Sequence, residues 1–413
     1  MDIGDTPEEA AFRAEARSWL AARAEPRAGM DVVIALLRSP AMQAQADEPE
    51  HVRRCREWQA TLYQGGWAGI TWPTEYGGRG GTPMHQVIFN QEQAAFDVET
   101  GVFMVGIGMV GPTLIAHGTA GQKERYLDPL LRGEEIWCQL FSEPGAGSDL
   151  AGLSTRAVPD GGGGWVVNGQ KVWTSGAHYS DFGILLARTD PGQPKHRGIT
   201  YFVVDMRTAG IDVRPLRQIN GGSHFNEVFL TDVRVPASGV VGEVNGGWGV
   251  ALTTLANERT TIGGGTGGVP FEALARLAEA RGRSADPLVR QGLARAYTRQ
   301  QLLRYLGLRV QTALSQGRPP GAESSVLKLA FSQHAVGTGD LGMVIEGTAG
   351  GLAGHDAQDE GFWQHTFLGQ FAVRIGGGTD EIQKNVIGER VLGLPADVRV
   401  DKAISFRDLV ARS

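Results

Sequence analysis

Hydrophobic spacing divides the chain into three stretches. From Thr6 to about Arg132, apolar residues recur at helical spacing, as in Phe12, Ala16, Trp19 and Leu20. Thr6-Pro7-Glu8-Glu9 reads as a helix start, with Thr6 as N-cap and Pro7 at the first helical position. Trp72-Pro73-Thr74-Glu75-Tyr76-Gly77-Gly78 reads as a loop between helices. From about Gly133 to Gly242 the period falls to two. Trp165 to Trp173 reads as a hairpin turning at Asn168-Gly169. Segments 183–188, 199–204 and 227–230 read as further strands. From about Trp248 helical spacing returns, with stripes at Phe271, Leu274 and Leu277 and at Leu302, Leu303, Leu306, Val310 and Leu314. Pro287 interrupts this last region, because proline removes an amide donor inside a helix. The expected architecture is an α+β multidomain chain. It has a helical N-terminal domain over 1–132, a central β-barrel or sandwich over 133–243 and a helical bundle over 244–413. Such an order leaves clefts at domain junctions, where ligands tend to sit.

Composition narrows the function classes. With 413 residues, 41% hydrophobic and 20% charged, the chain is long and apolar enough for sizeable cores, which argues against extended disorder. A net charge of −6 supplies no basic field for nucleic acid. The first ten residues are acidic and lack the apolar core of a signal peptide. Gly101 to Ala116 is too short to span a bilayer, so no membrane association is expected. Cys55 and Cys138 are the only cysteines, a poor disulfide scaffold for this length, which points to a reducing cytoplasm.

The segment richest in candidate chemistry is Trp137-Cys138-Gln139-Leu140-Phe141-Ser142-Glu143-Pro144-Gly145-Ala146-Gly147-Ser148-Asp149. Gly145 and Gly147 permit tight turns that aim amides at a ligand, and Ser142 and Ser148 supply hydroxyls. On spacing alone it is equally a glycine-rich turn. Other motifs are weaker. Gly263-x-Gly265-x-x-Gly268 lacks a preceding strand and a βαβ unit, so it is no dinucleotide fingerprint. The nine histidines show no metal-ligand spacing, and Cys138 has no evident histidine partner.

Glu143 to Asp149, followed by Asn168-Gly169-Gln170-Lys171-Val172-Trp173-Thr174-Ser175, resembles the acyl-CoA dehydrogenase family. Arg374-Ile375-Gly376-Gly377-Gly378-Thr379-Asp380-Glu381-Ile382-Gln383 resembles that family's C-terminal flavin segment, and Trp72 to Gly81 an N-terminal loop. The matches span nearly the whole chain in family order. The resemblance implies a helical N-terminal domain, a β domain and a C-terminal four-helix bundle, with FAD between the last two. It places Gln139, Phe141, Ser142, Gly147, Ser148, Trp173, Thr174 and Ser175 at the cofactor. Ser142 would lie near the flavin N5 and C4 edge, Trp173 against the ring, and Ser175 on a flavin or phosphate oxygen. Gly378, Thr379 and Glu381 would approach from the C-terminal side, and Ser148 would also touch the pantetheine arm of an acyl-CoA substrate.

The implied reaction removes two hydrogens across the Cα–Cβ bond of the thioester. A Cα–H is a weak acid, so its removal needs a carboxylate within reach. Burial raises a carboxylate's pKa and strengthens it as a base. Many family members carry that carboxylate just before the Gly-Thr of the C-terminal segment, where this chain has Gly377. A second family position lies in a Leu-x-x-Glu-Arg sequence, here Leu255-Ala256-Asn257-Glu258-Arg259. Members resembling isovaleryl-CoA dehydrogenase use that glutamate. Glu258 is therefore the expected base, and Arg259 would contact the CoA arm or fix the helix. Outside the family context the pair would read as a surface ion pair.

Two motifs that family members give to a neighbour's flavin are degraded. Ala280-Arg281-Gly282-Arg283-Ser284, counted back from Gln291, lacks the Phe-Gly pair and displaces the arginine. Val344-Ile345-Glu346-Gly347-Thr348-Ala349-Gly350 lacks the glutamine. Two arrangements follow. Arg281 or Arg283, with Gln291, serves the neighbour in a homo-oligomer (dimer or tetramer). Alternatively a related subunit completes the site, as in heterotetrameric dehydrogenases of steroid side-chain CoA esters. The expected electron acceptor is an electron-transfer flavoprotein. The alternatives are a half-site or non-catalytic subunit, or an acyl-CoA oxidase. Gly376-Gly377-Gly378 leaves room for a branched or bulky acyl group.

Overall fold

The computed structural model describes residues 4–27, 42, 47–263, 268–318, 321–322, 324–398 and 401–411, with backbone alone at 259–263. Helices α1 (Pro7–Ala21), α2 (Glu48–Gln64), α3 (Pro83–Gln93), α4 (Gly111–His117) and α5 (Ala120–Arg132) come first. Strands β1 (Trp137–Leu140), β2 (Arg156–Pro159), β3 (Trp165–Ser175), β4 (Phe182–Arg188), β5 (Ile199–Asp205), β6 (Ile211–Leu216), β7 (Phe225–Val235) and β8 (Val240–Val241) follow. Helices α6 (Gly247–Gly263), α7 (Phe271–Ala280), α8 (Pro287–Ser315), α9 (Ser324–Glu346), α10 (Phe362–Ile375), α11 (Asp380–Val386) and α12 (Phe406–Val410) complete the order. The expected succession of helices, strands and helices is what the chain adopts.

The chain forms two compact units that do not follow chain order. One comprises Met1–His51, Gly81–Glu99 and Ile262–Pro395; the other comprises Val52–Gly80, Thr100–Thr261 and Ala396–Ser413.

In the second unit the eight strands form one sheet, ordered β6-β7-β3-β2-β4-β5-β8, with β1 parallel to β4. Both faces of β4 and β5 are buried, which explains their unbroken apolar runs. Leu185, Phe202 and Val204 meet Val167, Val228 and Val233 in a core enclosed by the sheet. Ile184, Leu186, Tyr201 and Val203 face outward onto Val110, Leu114, Leu127 and Leu130 of the helical segments. The sheet thus curls around one core and carries helices over a second.

Asn168-Gly169 is not the expected turn. β3 runs straight through it as a single strand of 11 residues. The pairing with β7 slips between Val167 and Gly169, and the Asn168 side chain bonds Asp232 across the bulge, donating and accepting at 3.0 Å. Glycine is required because a Cβ at 169 would lie 2.7 Å from the Thr155 Cα. The hairpin's turn lies earlier, between β2 and β3, where Asp160 Oδ1 accepts from the Gly162 and Gly164 amides.

In the first unit Thr6 caps α1 in a reciprocal capping box with Glu9, as the sequence predicts. Arg13 and Arg17 of α1 bind Glu92 of α3. Pro287 does not break a helix. It begins α8, and Asp286 caps it by accepting from the Leu288 and Val289 amides. Leu274, Leu277, Val289, Ile345 and Trp363 form this unit's core. The stripe from Leu302 to Leu314 lies outside it, and Leu302 itself is 55% exposed. No helix among the described residues is long and apolar enough to cross a membrane.

α6 docks tightly at its first residue. A Cβ on Gly247 would sit 2.5 Å from the Tyr201 backbone nitrogen and 2.6 Å from the Thr200 carbonyl carbon. Neither atom belongs to a flexible side chain, so Gly247→Ala is expected to cost about 1–3 kcal/mol. Denaturant unfolding measures it, and an unchanged midpoint contradicts the close docking.

Candidate active site

β1 delivers the chain into the loop that holds Ser142. Phe141 is buried, edge-on to Tyr201 with ring centroids 5.8 Å apart. Glu143 and Ala146 exchange backbone hydrogen bonds at 3.0 Å, closing a tight turn over Pro144-Gly145. The Glu143 carboxylate points inward and accepts from the Ser154 amide at 2.6 Å and the Thr155 amide at 2.9 Å. Lys171 of β3 donates to Glu143 at 2.7 Å and to the Phe141 carbonyl at 3.0 Å, with its side chain wholly out of solvent. The Val172 amide donates to the Ser142 carbonyl at 2.9 Å. Three consecutive residues, 141 to 143, are thus tied to β3. Farther along, Lys195 bridges Asp149 and Asp401.

Burial pushes the Lys171 ammonium below the ordinary lysine range, opposed by Glu143. Burial also works against the Glu143 carboxylate, yet Lys171 and the amides outweigh it and hold the group below its ordinary value. The pair is structural in kind, a buried charge held by an opposite charge and a backbone carbonyl. Cys138 is equally enclosed. Burial pushes its thiol up to about 12, which removes it as a nucleophile. Neither Cys138 nor Cys55 forms a disulfide.

Two residues beyond Lys171, β3 presents Trp173. Its φ of 61° lies in the left-handed region, at a second register slip between Lys171 and Thr174. An aromatic residue held there costs about 1–2 kcal/mol. Trp173 is 61% exposed, its ring edge-on to Phe225. Ser175 is exposed on the same side of the strand. Thr174 alternates to the opposite side and is buried, so its side chain faces away from Trp173 and Ser175. Gln139 and Ser142 are half-buried, and Gly145, Gly147 and Ser148 are exposed. Neither Gly145 nor Gly147 has positive φ, and a Cβ on either would meet nothing within 4 Å. The chain alone gives no reason for glycine there, whereas a ligand against the backbone would.

Glu258 is half-buried on α6 in this same unit. It continues the inner stripe formed by Val250, Ala251 and Thr254, one turn beyond Thr254. For Arg259 only the backbone is described.

The remaining predicted residues belong to the other unit. Gly377 and Gly378 both have positive φ, 66° and 89°, and Gln383 donates to both carbonyls. Gly377 is therefore a backbone requirement, and a carboxylate side chain there would be strained. Thr379 caps α11 by accepting from the Ile382 amide at 3.1 Å. Glu381 is exposed beside Lys384. Arg281 binds the buried Glu346 carboxylate, so the displaced arginine pairs with a residue of the second degraded segment. Arg283 donates to the Val344 carbonyl and to Asp286. Gln291 is exposed on α8. Sequence reasoning gave no role to Lys171, Glu143, Gln383 or Asp380. Asp380 is buried and accepts from Ser332 at 2.6 Å and Arg374 at 3.0 Å.

Models of the acyl-CoA dehydrogenase N-terminal, middle and C-terminal domains match residues 6–134, 138–233 and 245–392. Acyl-CoA dehydrogenase IpdE1 of Mycobacterium tuberculosis is 40% identical over 391 residues, 94% of this chain and 98% of that protein. The chain belongs to the acyl-CoA dehydrogenase family. Acyl-CoA dehydrogenase FadE34 of the same organism is 45% identical over 338 residues, 82% of this chain; the match spans 46% of FadE34. The Tcur3481-Tcur3483 steroid ACAD superposes with a TM-score of 0.79 at 29% identity, covering 96% of this chain and 100% of that one. The ChsE4-ChsE5 complex of M. tuberculosis gives 0.77 at 32%, with the same coverage of 96% and 100%. The acyl-CoA dehydrogenase family is flavin-dependent, and this chain is an oxidoreductase that dehydrogenates acyl-CoA thioesters.

Two measurements test the Lys171–Glu143 pair. Lys171→Met leaves a buried carboxylate without its cation and is expected to cost about 3–5 kcal/mol, part of it recovered by adding Glu143→Gln. Additive costs in denaturant unfolding contradict the coupling. Because the folded carboxylate sits below its ordinary 4.5, its stabilisation is present above that pH and lost as pH falls through the lower folded value. Glu143→Gln should flatten the acid limb of stability against pH.

Proposed function

We propose that Glu258 is the base that takes the α-proton of an acyl-CoA bound by this chain. The observation that carries this is a pair of positions. Glu258 ends the inner stripe of α6 half-buried, while the alternative family position, Gly377, has a left-handed backbone. A half-buried carboxylate on that stripe is open enough to meet a substrate.

FAD is the cofactor in this reading. Exposed Trp173 and Ser175 and the unfilled backbone at Gly145 and Gly147 fit a flat aromatic ring and a polar tail. When bound, FAD supplies the acceptor for the hydride that leaves Cβ. The chain's own residues orient and exclude water. Phe141, fixed by Lys171, and Ser142, fixed by the Val172 amide, present the loop edge, with Gln139 behind them on β1. Gly147 and Ser148 offer an amide and a hydroxyl, and Ser148 also serves the CoA arm together with Arg259. Thr174 contributes its backbone. Gly378, Thr379 and Glu381 form the C-terminal contribution.

The family segments 1–132, 133–243 and 244–413 are the proposed domains, supported by the three matched ranges. A branched or bulky acyl group is the proposed substrate, a steroid side chain among them. The glycine run at 376–378 and the likeness to the Tcur3481-Tcur3483 steroid ACAD support it. A related second subunit is the proposed partner. Arg281 and Arg283 are engaged within the chain, and ChsE4-ChsE5 is a complex of two different chains. Exposed Tyr297, Leu302 and Tyr305 on α8 suit a helical partner. Electrons then pass to an electron-transfer flavoprotein, in a cytoplasm whose reducing state suits two cysteines outside any disulfide.

Glu258→Gln should retain FAD and slow anaerobic flavin bleaching by acyl-CoA about 10²–10⁴-fold. A rate near wild type removes Glu258 as the base. Expressed alone, the chain should be poorly flavinated. A stable, fully flavinated, active homo-oligomer contradicts the need for a partner.

A further inference from the structure

Three buried hydroxyls meet where α4, β5 and α6 cross. Tyr201 of β5, Thr113 of α4 and Thr254 of α6 are all fully out of solvent. Thr254 Oγ1 lies 3.1 Å from the Tyr201 hydroxyl and 3.0 Å from Thr113 Oγ1. Thr113 Oγ1 lies 2.7 Å from the Met109 carbonyl oxygen.

The hydroxyls share a small number of protons and acceptors. Each hydroxyl has one proton to donate and can accept through its lone pairs. The short contact commits the Thr113 proton to Met109, which has only a carbonyl to offer. Thr254 Oγ1 lies 3.3 Å from the Val250 carbonyl oxygen as well, so its proton goes to Thr113 or to Val250, and the Tyr201 hydroxyl has Thr254 Oγ1 as its partner. The relay links Tyr201 through Thr254 and Thr113 to the Met109 carbonyl. Met109 itself lies in a π-helical turn, Gly106–Val110, where the backbone departs from α geometry just before α4.

This relay acts on α6 at a particular height. The helix meets β5 at Gly247, where no Cβ fits against Thr200 and Tyr201, and again two turns later at Thr254. Two contacts on one stripe fix both the tilt and the rotation of the helix. Glu258 lies on that stripe one turn farther on, where the buried core gives way to partial exposure. Tyr201 also presents its ring to Phe141, whose carbonyl is held by Lys171. One side chain therefore touches the loop that carries Ser142 and the helix that carries Glu258.

We propose that the Tyr201–Thr254–Thr113 hydroxyl relay is a positioning device that sets the rotation of α6, and with it the reach of the Glu258 carboxylate toward the substrate's α-carbon. The inference rests on the reading of Glu258 as base. None of the three residues touches substrate; they act through the helix. Neither a valine at 254 nor a phenylalanine at 201 changes bulk much, but each breaks the relay.

The test uses the flavinated protein with its partner and a saturated acyl-CoA, with and without deuterium at Cα. Thr254→Val and Tyr201→Phe should each slow anaerobic flavin bleaching about 10–100-fold, the cost of a misplaced reacting group. The α-deuterium isotope effect should rise, while acyl-CoA affinity and flavin content stay near wild type. Thr254→Ser, which keeps the hydroxyl, should restore the rate. A purely structural role lowers the melting temperature and leaves the isotope effect alone; that result overturns the proposal. If Thr254→Val does not fold, Tyr201→Phe decides, since it removes one oxygen and keeps the ring against Phe141. Glu258→Gln separates the two readings. A rate near wild type in Glu258→Gln defeats the base and the relay together. Loss there, with wild-type rate and isotope effect in the relay variants, defeats the relay alone.

Discussion

The Lys171 ammonium lies in the β domain with no access to water, donating to the Glu143 carboxylate and the Phe141 carbonyl. A charge in such a place survives only when it is paired and hydrogen-bonded. That requirement makes the loop after β1 rigid. Glu143 must turn inward, the chain must reverse over Pro144-Gly145, and Ser142 must emerge at a fixed point. The same strand reaches Trp173 two residues later, so the ion pair also registers the exposed aromatic against the loop. What could pass for a flexible glycine-rich turn is instead anchored at 141, 142 and 143, with its glycines facing open space.

A second constraint places the candidate base. α6 cannot slide along β5, because backbone meets backbone at Gly247, and it cannot roll, because Thr254 is bonded on two sides. Glu258 inherits its orientation from those contacts. Gly377, at the alternative position, is fixed in a left-handed turn braced by Gln383. Restoring a carboxylate there takes more than one substitution, since the backbone would first have to change. The two degraded segments are likewise coupled: Arg281 of one and Glu346 of the other meet as an ion pair.

The change of hydrophobic period near Gly133 and Trp248 carried the order of elements, because burial on one helical face or both sheet faces leaves that imprint directly. Short elements left none. β1 and β2 have four residues each, too few to display a period. Asn168-Gly169 misled for a physical reason. The dipeptide is a local turn signal, but the glycine answers a distant neighbour, Thr155, and the true turn is an Asp160 loop of glycines. The motif segments were legible as segments. Their supports were not: Lys171 reads as an ordinary strand lysine until its burial is seen, and nothing in sequence distinguishes Thr254 from any helical threonine. Thr174 shows the same limit, since strand alternation sends its side chain away from its two neighbours.

A carboxylate of this chain would take the proton from Cα, and a bound flavin would supply the acceptor for the hydride from Cβ. The most direct measurement is the anaerobic bleaching rate of the flavinated wild-type protein across a panel of saturated acyl-CoA thioesters, each deuterated in turn at Cα and at Cβ. The account predicts bleaching by a branched or bulky member of the panel, slowed by deuterium at either carbon. Absence of bleaching by every thioester, or a rate indifferent to deuterium at Cα, contradicts it.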